Sequence, residues 1–144
     1  MSLVKIQTTR FGDVEIREDS IITFPSGIIG FIEYKKYVIL EHKAPFSWLQ
    51  SVENPKLAFL VIDAINFGDK YPVKPSLKNT EINLTDKDEY VVLVLIAINN
   101  DLQEITANLK APVFVNLSNN LAIQTIIDDD KYSTKTSLTP LLNK

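Results

Sequence analysis

What the sequence lacks excludes much. It has no cysteine, so there is no disulfide framework and no zinc–thiolate site, a composition compatible with a reducing compartment. It has one histidine, His42. General-base work needs an oriented partner, and a metal would be left with carboxylates alone. No Gly-x-Ser-x-Gly elbow occurs. The glycines at 27 and 30 are not followed by Gly-Lys-Ser/Thr, so they form no phosphate loop. Arg10 and Arg17 are the only arginines, and no basic run exceeds Lys35-Lys36. Nucleic-acid binding needs basic clusters that displace counterions, so direct contact with nucleic acid is not expected. The longest apolar run, Val91 to Ile98, is eight residues, far short of the roughly 18 of a membrane span. The N-terminus lacks a basic stretch leading into an apolar one. A cytoplasmic protein with no catalytic residues, metal or cofactor is expected.

What is present is a strand-rich chain. At 144 residues, 45% hydrophobic and 23% charged, it can bury a full core. Val4, Ile6 and Thr8 alternate with polar residues, as do Val14 and Ile16, and Phe11-Gly12-Asp13 lies between them. This predicts a β-hairpin. A short strand over Ile21 to Phe24 stops at Pro25. The loop Phe24-Pro25-Ser26-Gly27-Ile28-Ile29-Gly30-Phe31 sets apolar residues between breakers, so it folds over the core or faces a partner. A helical turn is expected over Phe31 to Tyr37, then a strand over Tyr37 to Leu40. Phe46 to Val52 and Leu57 to Ile62 read as a central hairpin closed by Glu53-Asn54-Pro55. From Asp63 to Glu89 the pattern weakens. That stretch is expected to lie on the barrel through Phe67, Tyr71, Leu77 and Ile82, with a short helix within Ser76 to Leu84. Tyr90 to Ile98, Ile105 to Leu109, Ala111 to Leu117 and Leu121 to Ile127 complete the strands. Turn signals every 8 to 12 residues mark an all-β fold. The expectation is a small antiparallel β-barrel of about nine short strands with one or two short helical turns, forming one domain over 1–133 and a flexible tail over 134–144.

Several residues carry two readings. Trp48 shares a strand face with Phe46 and Gln50, and is either a core residue or an aromatic interface anchor. Thr106 and Asn108 are either a cross-strand hydrogen-bonding pair or a recognition face. Asp128-Asp129-Asp130 is either a solvated strand end or an attractor of cations, although adjacent residues of an extended chain point in opposite directions. A carboxylate enzyme would need Asp63 to converge with one of these. A small-molecule carrier would need an internal cavity behind Trp48.

Five blocks, in order, resemble the bacterial flagellar assembly factor FliW family. They are Arg10-Phe11-Gly12-Asp13-Val14-Glu15-Ile16; Ile22-Thr23-Phe24-Pro25-Ser26-Gly27-Ile28-Ile29-Gly30-Phe31; Phe46 to Pro55 with Leu57-Ala58-Phe59; Thr106 to Asn116; and Gln124 with Asp128 to Ser133. The stretch after Asp63 keeps Phe67 and Tyr71 but lacks the aromatic, acidic run associated with the family. The resemblance implies a non-enzymatic partner-switching protein; the chain itself is expected to be a monomer. Such proteins bind flagellin in the cytoplasm. They also bind CsrA, a small basic RNA-binding repressor, away from its RNA site, so that flagellin translation resumes. The net charge of −3 suits a basic partner. Loops that are apolar or acidic supply the candidate contacts: Phe24, Pro25, Gly27, Ile28 and Phe31; Glu53, Asn54 and Pro55; Phe67 and Tyr71; and Asp128, Asp129 and Tyr132.

Overall fold

The computed structural model describes residues 2–101 and 103–142. Two strands, β1 (Leu3–Thr8) and β2 (Gly12–Arg17), pair as the expected hairpin, with Gly12 at φ +69° where the turn enters β2. The remaining strands are β3 (Ile22–Thr23), β4 (Lys36–Glu41), β5 (Phe46–Ser51), β6 (Ala58–Asp63), β7 (Tyr90–Asn99), β8 (Glu104–Ala107), β9 (Val113–Asn116), β10 (Leu121–Gln124) and β11 (Thr136–Ser137). Seven of them close a barrel in the order β3-β4-β5-β6-β7-β9-β10. Neighbours are antiparallel except β10 and β3, which meet in parallel through Leu121 and Thr23. A ring with an odd number of strands cannot alternate direction all the way round, so one parallel junction is unavoidable. The long strand β7 makes closure possible. Its first half pairs with β9 (Tyr90 opposite Asn116), and its far end pairs with β8 (Ile98 opposite Ile105).

The period-2 alternation sorts side chains into three buried groups. Ile22, Tyr37, Leu49, Val61, Leu93, Val113, Val115 and Ala122 come from the seven barrel strands and fill its interior, with Phe24, Ile28 and Leu57 plugging the ends. The opposite faces of β6, β7 and β9 present Leu60, Ile62, Val92, Val94 and Phe114, covered by the 64–89 connection and the C-terminal segment. The hairpin β1–β2 lays Ile6 and Ile16 on Val38 of β4. One wall is therefore apolar on both sides, which is why β7 reads as a continuous run rather than an alternating one.

Several expectations change. Phe31 to Tyr37 makes no helix; a single hydrogen-bonded turn from Phe31 to Tyr34 leads straight into β4. Ser76 to Leu84 also makes turns only. The helical element of the connection is a 3-10 segment at Ala64–Lys70, begun by the Asp63 carboxylate accepting from the Ile65 amide. Phe67, Tyr71 and Ile82 anchor the connection as expected, but Leu77 is 56% exposed. The segment expected to be a flexible tail carries β11, paired with β8, and a short helix, α1 (Leu138–Leu142). Leu138 is buried in the outer cluster and the Lys70 ammonium donates to the Pro140 carbonyl (2.7 Å). Three leucines in seven residues give that segment an apolar side, and it shields the outer face of β7 and β8.

Candidate functional site

The loop after β3 is a series of tight turns. The Gly27 amide donates to the Phe24 carbonyl, closing a turn with Pro25 at its second position, where the fixed φ of proline suits it. A second turn, Ile28 to Phe31, holds Gly30 at φ +89°, the left-handed position of a type II turn. Gly27 is at φ +71°, and a Cβ there would lie 2.6 Å from the Ile32 Cα. Only glycine lets the 31–33 backbone fold back over the first turn. The result splits the loop's apolar residues. Phe24 and Ile28 go into the barrel end, while Ile29 (53% exposed), Phe31 (37%) and Ile32 (61%) face outward. Phe31 rests edge-on against Phe59 of β6, ring centres 5.4 Å apart. The loop is pinned from the side by the Ile29 amide donating to Gln124 Oε1 (2.9 Å), and Ser26 Oγ bonds Glu81.

The Glu53-Asn54-Pro55 turn stands next to this loop. Glu53 Oε1 accepts from the amides of Lys35 (2.6 Å) and Lys36 (3.0 Å), so the carboxylate ties the loop's exit to the central hairpin. Ser51 Oγ accepts from the Glu53 and Asn54 amides. The buried Gln50 side chain donates to the carbonyls of Ser51 and Leu57, both at 3.1 Å. The Thr9 amide donates to the Pro55 carbonyl (2.8 Å), bringing up the tip of β1–β2. Beneath the turn, the fully buried Tyr37 hydroxyl has no hydrogen-bond partner among the described residues. Burial, reinforced by the Glu53 and Glu33 carboxylates, pushes it up to about 12.

Not every candidate contact stays a contact. Phe24, Ile28, Phe67, Tyr71 and Tyr132 are buried and unavailable to a partner in this conformation. Phe67, Tyr71 and Tyr132 form an edge-on stack, with centroids 6.1 and 5.1 Å apart. The Tyr71 hydroxyl donates to the Leu109 carbonyl (2.7 Å), and burial raises its pKa well above the usual tyrosine value. These aromatics clamp the connection and the 128–132 loop onto the barrel. Gly27 is buried too, whereas Pro25, Phe31, Glu53, Pro55 and Asp128 are exposed and Asn54 and Asp129 half-buried. Asp129 belongs to a loop rather than a strand end, since β10 stops at Gln124, and its Oδ1 accepts from the Lys131 amide. Ile29 and Ile32, the most exposed apolar side chains of the loop, were missing from the sequence-based set. The signal was the apolar pair on either side of Gly30.

Trp48 lies on the outer face of β5, with the Arg10 guanidinium 3.9 Å above its ring and His42 beside it. The barrel interior behind it is occupied by Leu49 and its buried neighbours. Asn108 Oδ1 accepts from the Lys110 and Ala111 amides and shapes a turn. No group of three or more metal-binding side chains occurs among the described residues.

The fold is a closed seven-stranded β-barrel with a partly apolar loop braced at one end. The FliW protein family matches residues 5–138. The flagellar assembly factor FliW of Natranaerobius thermophilus is 40% identical over 136 residues, covering 92% of this chain and 90% of that protein. The one of Geobacter sulfurreducens is 40% identical over 135 residues, covering 92% and 84%. A crystal structure of the flagellar assembly factor FliW superposes with a TM-score of 0.84 at 34% identity, covering 95% of this chain and 98% of that one. The chain belongs to the FliW family of flagellar assembly factors, a non-enzymatic family.

Proposed function

We propose that this protein binds flagellin in the cytoplasm and also binds the RNA-binding repressor CsrA away from its RNA site, relieving repression of flagellin translation. The observation that carries this reading is the outward-facing Ile29, Phe31 and Ile32 on a loop held rigid by two turns, Gln124 and Glu53. Apolar side chains displayed on an ordered loop gain binding energy without the cost of ordering it. Contiguous exposed apolar residues mark protein contacts. The net negative charge favours encounter with a basic partner and disfavours RNA. No helix among the described residues is long and apolar enough to cross a membrane. The protein acts as a monomer that exchanges one partner for the other.

Calorimetric titration with purified flagellin and with purified CsrA tests this directly. Saturable heats are expected for both. A CsrA-repressed flagellin leader should be translated again when the protein is added. Undetectable binding to both partners ends the proposal.

A further inference from the structure

The proline-flanked segment 72–75 crosses the outer face of the barrel and leaves an open cleft of about 420 Å³ between itself and the chain after β10. Its floor is apolar: Ile82, Phe114, Ile123 and Ile127. Ile82 and Phe114 are buried members of the outer cluster, and Ile123 and Ile127 pack against it. Ile123 faces outward because its neighbour Ala122 points into the barrel. The mouth carries two cations and one carboxylate. Lys131, a lining residue, has its Nζ 3.9 Å from Asp129 and 5.1 Å from the centre of the Tyr132 ring. Lys74, across the cleft, makes no ion pair among the described residues. The volume lies in the range of about 300 to 1,000 Å³ usual for small-ligand sites, which are apolar with a few polar groups to orient the ligand.

We propose that this cleft binds a small amphipathic monoanion, with a hydrocarbon body on the isoleucine floor and one carboxylate between Lys74 and Lys131. The floor supplies most of the affinity by burial. The excess cation at the mouth sets the polarity, since Asp129 offsets only one of the two lysines. None of the residues lining the cleft belongs to the loop that displays Ile29, Phe31 and Ile32, and the cleft lies on the outer face of the barrel.

The test is an amide-resonance titration of the full chain with decanoate, kept below its micelle concentration. Saturable shifts are expected at Val73, Lys74, Ile123, Ile127 and their neighbours. Decyltrimethylammonium, with the same tail and the opposite charge, is expected to bind about tenfold more weakly, as is decanoate to the K74E/K131E variant. Both lysines are exposed, so that variant retains the fold. Ile123→Trp fills the cleft and abolishes the shifts while the spectrum stays dispersed. The proposal is overturned by absent saturation, by equal binding of the cationic probe, by shifts centred elsewhere, or by undiminished binding to either variant.

Discussion

Two loop regions of this chain look alike in sequence and end in opposite places. The 24–33 loop and the 64–84 connection both follow a short strand, both mix apolar residues with proline and glycine, and both offered candidate contacts. In the first, Gly27 and Gly30 turn the chain so tightly that alternate apolar residues have no core within reach, and Ile29, Phe31 and Ile32 stay in solvent. In the second, the chain is long enough to lie across the barrel wall, and Phe67, Tyr71 and Ile82 find the apolar outer face of β6, β7 and β9. Apolar character alone does not distinguish a contact from a clamp. The length of chain between breakers, and the presence of an uncovered sheet face within that length, does.

The comparison is broken most severely at the clamp. Tyr71→Ala removes the middle ring of the stack and its bond to Leu109, and is expected to cost about 3 to 5 kcal/mol. Urea unfolding reads this, and a loss below about 1 kcal/mol would mean the stack does not hold the connection. Gly27→Ala comes next, because the new Cβ meets backbone rather than a movable side chain. A loss of about 1 to 3 kcal/mol is expected, with amide shifts spreading from residue 24 to 36. An unchanged melting temperature would show that the loop has another conformation open to it.

Ile32→Asp probes the display side. Stability should change by no more than about 0.5 kcal/mol, as for other surface positions, while affinity for flagellin or CsrA falls about tenfold, equivalent to roughly 1.4 kcal/mol. Full retention of both affinities would move the contact surface away from this loop. The smallest effect is expected at Tyr37→Phe. Removing a buried hydroxyl that has no hydrogen-bond partner among the described residues should leave stability within about 1 kcal/mol of the parent at neutral pH. The sign of its pH dependence is fixed. The folded-state value, about 12, is above the ordinary tyrosine value of about 10. The buried phenol is therefore favourable below pH about 10, and that contribution is lost as pH rises toward 12. Denaturant melts across this window should show the parent losing more stability than the variant, and parallel curves would contradict the assignment.

Much of the barrel was legible because strand patterning is local. The hairpin β1–β2, the hairpin β5–β6 and the long β7 follow from alternation, an apolar run and turn residues within a few positions of each other. The helical turn expected over 31–37 and the short helix expected within 76–84 did not form as helices because weakly periodic stretches leave the choice to packing. The anchoring role of Phe67 and Tyr71 was legible from residue type, but their packing with Tyr132, and the burial of all three, was not. Residues 61 positions apart, Tyr71 and Tyr132, meet only once the barrel has closed. Likewise, Glu53 reads as an exposed acidic contact until its carboxylate is seen accepting two amides from the neighbouring loop.

By itself the sequence determined that this is a strand-rich chain with no cysteine, one histidine and two arginines, and its five motif blocks pointed to the family. Those properties depend on residue types and spacings alone. The tertiary structure decided that the barrel has seven strands and hence one parallel junction, that the C-terminal segment covers β8, and that Ile29, Phe31 and Ile32 rather than Phe24 and Ile28 face outward. Each of these depends on which distant segment reaches a given apolar face first. Side chains left over when those faces are covered are the ones free to meet a partner.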